Sequence, residues 1–349
     1  MTQPTTIVGA QVFDGMRLLG PRTVVIAEGR IVSVDEPAPL APGGHIIDAH
    51  GRALLPGFID AHVHIGFFEP SQVLRGGVTT ARDLGWPQRK IFEMRDDLRA
   101  TPTAGPLLLA AGGIITASGG YPTRASWAPD GTSLEVSDED EGRNAVARMV
   151  AAGADIIKIA QAPDRGPVMP AKVLTAVVNE AHAAGLKVTS HLTSIDELTV
   201  ALDASIDELA HGLWADSPIP DELIARMAGG MVVVPTLHID PSSERVENLR
   251  RFVAVGGRVI YGTDMGNAGP PPGIDVEELE LMVSAGMTRL ETLQAATSLA
   301  ADHLGLDERG RIEGGAMADM ILVDGDPTVD LGVLSKPSLV MREGEVVLG

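Results

Sequence analysis

Apolar and polar positions change rhythm twice along the chain. From Ile7 to about Leu55 the apolar residues come in short β-type runs, Thr23 to Ala27 and Arg30 to Val34 among them, separated by glycine-containing turns. The C-terminal stretch has the same texture: Asp319 to Val323, Ser338 to Met341 and Arg342 to Val347, with Glu343-Gly344 reading as a hairpin turn. Between these ends, strand-like apolar runs alternate with amphipathic helical patterns, which signals βα units and a parallel sheet. Strands are predicted within Leu54–His64, Thr79–Leu84, Leu107–Ala111, Asp155–Ile159, Leu186–His191, Ile206–His211, Val232–Thr236 and Arg258–Asp264. Helices fit between them at Gln88–Ala100, Ser137–Ala152, Pro170–Ala184, Ser194–Asp203, Pro220–Met227, Ser242–Val255, Asp275–Ala285 and Thr288–Leu304. Ser194 reads as an N-cap, and Gly185 and Gly305 as helix stops. Eight strands alternating with helices predict an α/β fold, a (β/α)8 TIM-like barrel over residues 56–309, with an open doubly wound sheet as the other solution. The two strand-rich ends, residues 1–55 and 310–349, are expected to pair as a small β-sandwich domain.

Composition narrows the function classes. The formal net charge of -20 over 349 residues would repel phosphates, so neither nucleic acid nor an anionic membrane surface is an expected partner. With no cysteine, any metal must be held by nitrogen and oxygen, and no thiolate nucleophile exists. The N-terminus, Met1-Thr2-Gln3-Pro4, lacks a basic region followed by an apolar one. A cytoplasmic location, a small-molecule substrate and a possible homo-oligomer are the expectations.

The chemistry concentrates at predicted strand ends. On a strand the side-chain period is two, so His62 and His64 in Asp60-Ala61-His62-Val63-His64 share one face, with Val63 turned into packing. Imidazole is the commonest zinc ligand, and a strand end supplies two at little ordering cost. Lys158, His191, His211 and Asp264 lie at or near the ends of the fourth, fifth, sixth and eighth predicted strands. A barrel gathers such ends into one ring at its C-terminal face. Lys158 sits between Ile157 and Ile159, where an unpaired ammonium is costly. A lysine that stays neutral, or that reacts with carbon dioxide to form an anionic carbamate able to bridge two metals, escapes that cost.

The chain resembles the metal-dependent amidohydrolase superfamily over nearly all of its length. The resemblance rests on Pro56 to His64, Gly153 to Ile159, the strand-end His191 and His211, Gly262-Thr263-Asp264, and the late run Met317 to Pro327. It is similar to the branch containing imidazolonepropionase-like hydrolases and Xaa-Pro-type dipeptidases, which Val234 to Leu237 and the helix Leu290 to Leu304 also suggest. The resemblance implies two divalent metal ions, zinc the expected identity: His62 and His64 on the first, His191 and His211 on the second, carboxylated Lys158 bridging them, Asp264 both ligand and catalytic acid/base. Lys158 points to two-metal, peptidase-like members over one-metal imidazolonepropionases and deaminases. The chain departs from dipeptidase-like relatives after the third strand, where Gly119-Gly120-Tyr121 replaces a Gly-Gly-His pattern.

The expected reaction is attack of a metal-bridging hydroxide on an amide carbonyl of a small molecule such as a dipeptide or N-acyl amino acid. Asp264 takes the proton and passes it to the leaving group. A lactonase, a phosphotriesterase-like hydrolase or a cyclic amidine deaminase or imidazolonase would use the same site, and a barrel serving only as a binding protein would be expected to lack a ligand. Tyr121 and His238 are the substrate-contact candidates, and Arg124 and Arg165 are arginines able to meet a substrate carboxylate. His45, His50, His182 and His303 fall off the strand-end positions and read as structural or exposed.

Overall fold

The computed structural model describes residues 3–35, 44–212 and 217–349. Met1 and Thr2, from the N-terminal stretch read above, lie outside the described residues. The two ends of the chain meet in one eight-stranded sheet. Thr5–Phe13, Leu18–Ala27 and Arg30–Asp35 form an antiparallel meander. The first strand also pairs in parallel with His45–Asp48 and Ala53–Pro56. Ala53–Pro56 then pairs antiparallel with Met320–Val323 from the far end of the chain, which leads to Leu339–Arg342 and Glu345–Leu348. The last hairpin turns at Glu343 and Gly344 with φ of 49° and 80°. Positive φ at both central residues is what a primed two-residue turn demands, and glycine meets it without strain. Ile7, Val12, Val24, Leu54, Met320 and Met341 form the core of this sheet.

The middle of the chain is α/β. Phe58–Val63, Val78–Asp83 and Leu107–Ala110 make a three-stranded parallel sheet. A seven-stranded sheet follows the order Ser133–Val136, Ile114–Ala117, Ile157–Gln161, Val188–Leu192, Glu208–Leu209, Val232–Val233, Arg258–Val259. Backbone hydrogen bonds cross between the sheets at both outer strands of the smaller one: Asp155 N donates to Ala110 O at 3.0 Å, and Asp264 N to His62 O at 2.8 Å. Strands such as Val78–Asp83 are buried at every position, as expected of parallel strands covered on both faces.

Each predicted strand overlaps an observed one, with ends shifted by one or two residues at Val78–Asp83, Ile157–Gln161 and Val188–Leu192, and two more appear. The strands Ile114–Ala117 and Ser133–Val136 were not anticipated. Gly112 turns at φ 76° and the chain passes from the three-stranded sheet into the seven-stranded one. The predicted helix Thr288–Leu304 is also two helices, Arg289–Ala295 and Ser298–Leu304. The break turns the Ala295 and Ala296 carbonyls outward to accept Tyr261 N at 3.0 Å and Ile59 N at 2.8 Å. The Thr297 hydroxyl meanwhile donates to the Leu293 carbonyl at 2.6 Å. Helix starts follow their caps: Ser194, Ser242 and Asp275 accept N–H groups of the first turn, and Thr288 with Glu291 forms a capping box.

Candidate metal centre

His62 lies on Phe58–Val63, and His64 follows it by one residue. Two buried carboxylates hold the backbone around them. Asp60 Oδ1 accepts the N–H groups of His62 at 3.0 Å and Thr263 at 3.1 Å, and its Oδ2 takes the Thr263 hydroxyl at 2.6 Å. Asp83 accepts Ile65 N at 2.9 Å and Gly85 N at 3.0 Å. The second imidazole nitrogens are also engaged: His62 Nδ1 lies 2.5 Å from Ala210 O, and His64 Nδ1 lies 3.0 Å from Gly85 O. Bonding Nδ1–H to a carbonyl leaves the Nε2 lone pair free to bind, which is how metal-ligating histidines are usually oriented.

Both Nε2 atoms face one carboxylate. Asp264 Oδ1 is 3.3 Å from His62 Nε2 and 3.2 Å from His64 Nε2, and Oδ2 is 3.7 Å from His211 Nδ1. Candidate ligand atoms of His62, His211 and Asp264 lie within 4.8 Å of one another. The His211 and His191 ring centroids are 4.8 Å apart, and His211 Nδ1 also meets the Thr236 hydroxyl at 2.9 Å. Asp264 and Thr236 hold left-handed backbone at φ 56° and 44°, a conformation that strains a side-chain-bearing residue and recurs where a site dictates geometry. Gly262 is dictated by the same crowding, since a Cβ there would stand 2.9 Å from His62 N and 2.4 Å from Val234 Cγ1.

Lys158 completes the ring from Ile157–Gln161. It is 3% exposed, and its Nζ has no hydrogen-bond partner. Burial pulls its pKa from 10.5 down to about 7, with Asp264 opposing. Desolvating an ammonium costs several kcal/mol without a close partner, which brings the neutral amine, or an anionic derivative of it, within reach at neutral pH. Burial likewise holds the pKa values of His62, His191 and His211 well below 6.5, so these rings are neutral, the form that binds metal. His64 differs: burial opposes charging, but the Asp264 carboxylate beside it raises its pKa overall.

All six side chains named for metal binding line one small cavity of about 90 Å³, with Tyr121, Trp127, Arg165 and Asn267 around its rim. Tyr121 stacks on His191 with ring centroids 4.9 Å apart and accepts a 3.0 Å hydrogen bond from Trp127 Nε1. The Arg165 guanidinium sits 5.1 Å from the Tyr121 ring. Arg124 is exposed and His238 does not line the cavity; the His238 ring is held by Asp275 at 2.7 Å. His50 pairs with Asp48, His182 with Asp207 and His303 with Glu208. Asp60, Asp83, Thr236 and Trp127 were not anticipated. For Asp60 a signal existed, an acidic residue inside the apolar run Phe58 to Ala61; for Asp83, in a strand that already holds Thr79, Thr80 and Arg82, and for Trp127 none did.

The donor set, neutral imidazoles with a carboxylate and a desolvated lysine, fits divalent metal ions of the zinc type. The sequence pattern of the amidohydrolase family matches residues 53–347, and the chain belongs to that family. It falls in the prolidase-like branch, among hydrolases acting on carbon–nitrogen bonds. An uncharacterized protein of Mycobacterium tuberculosis is 30% identical over 361 aligned residues, covering 91% of this chain and 90% of its own. The crystal structure of a Xaa-Pro dipeptidase with bound methionine superposes with a TM-score of 0.87 at 24% identity, covering 99% of this chain and 100% of that one, a likeness of fold. A Bifidobacterium longum protein assigned as a prolidase gives 0.86 at 27% identity, with 99% and 95% covered. The fold is thus of the TIM-barrel type. Among the described residues no helix is long and apolar enough to cross a membrane.

Proposed function

We propose that the protein is a binuclear metal-dependent amidohydrolase that cleaves an amide bond of a small molecule such as a dipeptide or an N-acyl amino acid. On this reading residues 56–309 form one closed (β/α)8 barrel, and residues 1–55 with 310–349 form a small β-sandwich domain beside it. His62, His64, His191, His211 and Asp264, with Lys158 as its carbamate, are the residues that would hold two divalent ions, zinc the expected identity. Bound divalent ions polarise a substrate carbonyl and lower the pKa of water from 15.7 towards ~7.

The rest falls to the chain's own groups. Asp264 accepts a proton from the attacking water and returns it to the leaving nitrogen, held in place by Asp264 N–H donating to His62 O at 2.8 Å. Asp60 and Asp83 keep the histidine backbone rigid, so the ring nitrogens stay aimed at one point. Tyr121, whose oxygen accepts from Trp127, keeps its own proton to offer a substrate carbonyl, and burial raises its pKa so that it stays protonated. His238, on the loop after the seventh strand, is the more peripheral substrate contact.

The observation that carries the reading is the Asp264 carboxylate between two Nε2 atoms, with a desolvated Lys158 lining the same cavity. The test is metal analysis of the purified protein with turnover on a panel of dipeptides, N-acyl amino acids and lactones. Two metals per chain, amide cleavage, and a 13C carbamate resonance that disappears in Lys158→Ala are expected. One metal with unmodified Lys158 would move the assignment to the imidazolonase or deaminase reading, and lactone cleavage alone would overturn the amide assignment.

A further inference from the structure

Beneath the histidines runs a chain of buried charge that the reaction does not use. The Phe58–Val63 strand pairs with Val78–Asp83, but its register slips between Asp60 and Val63. Such a slip re-aims a side chain and leaves backbone groups outside the ladder. Here the affected residues are Ala61 and His62. The Ala61 carbonyl is taken up by a side chain, Arg82 Nε donating to it at 2.7 Å. Arg82 also donates through Nη2 to Glu208 Oε1 at 2.6 Å, and Glu208 Oε2 meets His303 Nε2 at 2.8 Å. Arg82 and Glu208 are 1% and 0% exposed.

The placement of this tie is what matters. Ala61 immediately precedes His62, and Glu208 lies three residues before His211. The two strands belong to different sheets and share no ladder. Arg82 therefore joins the carrier of His62 to the carrier of His211 from below, while His62 Nδ1 and Ala210 O join them again at 2.5 Å. Burial opposes ionisation of Glu208, yet Arg82 and then His303 hold its pKa down at about 2, so the tie is ionic at neutral pH. A planar guanidinium reaches a carbonyl and a carboxylate at once, which a lysine ammonium at the end of a flexible stem does not reproduce.

We propose that Arg82 and Glu208 are positioning residues of the metal centre: through the displaced Ala61 carbonyl they set the span between His62 and His211. This rests on the metal-site reading above. Removing an outer-shell partner of a metal ligand lowers affinity by about 10–100-fold. The experiment compares wild type, Arg82→Lys, the double variant Arg82→Met/Glu208→Met and His303→Gln. Metal affinity is read by competition with a chelator, the visible spectrum after Co2+ loading, and melting of the metal-free protein. Arg82→Lys keeps a charge for Glu208 but loses the Ala61 contact. The double variant leaves no unpaired buried charge if the single one fails to fold. We expect both to bind metal about 10–100-fold more weakly with an altered Co2+ spectrum, and His303→Gln to bind as wild type. Wild-type affinity and spectrum in both Arg82 variants, with only a lowered melting temperature, would overturn the proposal. Failure of the wild-type protein to bind metal would instead overturn the metal-site reading itself.

Discussion

The protein has two cavities of opposite character at its strand ends. The larger, about 630 Å³, lies near Lys187, Asp207, Gly230 and Arg258, where several strands begin. The smaller, about 90 Å³, lies where strands finish and holds the histidines, Lys158 and Asp264. In the larger one the polar groups are engaged in ordinary ways: Lys187 donates to the His303 carbonyl, Asp207 accepts Val188 N at 2.7 Å, and Arg258 donates to Gly230 O at 3.0 Å. In the smaller one Lys158 Nζ and His62 Nε2 are buried without a hydrogen-bond partner. Between these two, volume points to the wrong end. A buried polar group that is left unsatisfied costs free energy and persists where something else completes it, so unspent hydrogen-bonding capacity locates the site.

The comparison can be broken from either end. The largest effect is expected from Asp264→Asn, which keeps the shape of the side chain but not its basicity: kcat should fall by about 10²–10⁴-fold or more while the circular dichroism spectrum is unchanged. Near-normal turnover would remove Asp264 from the chemistry. Lys158→Ala should follow, with loss of metal and activity together, measured as metal content beside rate. Tyr121→Phe removes one hydrogen bond and should cost about 1–3 kcal/mol of transition-state binding, read from kcat/KM. At the other cavity, Arg258→Gln should leave kcat/KM within about twofold and stability within about 0.5 kcal/mol. A large kinetic effect there would show that the bigger cavity participates after all.

A smaller and separable effect concerns pH. Glu278 is fully buried, accepts the His238 N–H at 2.8 Å, and burial raises its pKa from 4.5 to about 8. Its folded pKa lies above the unfolded one, so its contribution is fully present below about pH 4.5 and is lost as pH rises through about 8. Glu278→Gln keeps the acceptor without the charge. The variant should therefore melt a few degrees higher than wild type above pH 8, and no higher below pH 4.5, in thermal scans at both pH values.

Much of the architecture is legible in local pattern because parallel strands covered on both faces must be apolar throughout and helices must keep a 3.6-residue stripe. The positions of Leu107–Ala110 and Val232–Val233 follow from that requirement. The break at Thr297 does not, because it serves hydrogen bonds to Tyr261 and Ile59, far away in sequence. The same holds for the strand Ile114–Ala117, where Ile115 pairs with Ile159.

The candidate site divides in the same way. His62 and His64 on one strand face, and a lysine set among isoleucines, could be read directly, since side-chain alternation and the cost of a buried ammonium are properties of a few neighbouring residues. That Asp264 stands within 3.3 Å of both rings, that Asp60 and Asp83 lock their backbones, and that Arg82 reaches Ala61 and Glu208 together, was decided only by tertiary structure. Apart from Asp60 with His62, two positions away, those contacts join residues 18 to 202 positions apart, and no local periodicity encodes the direction of a side chain across a folded interior.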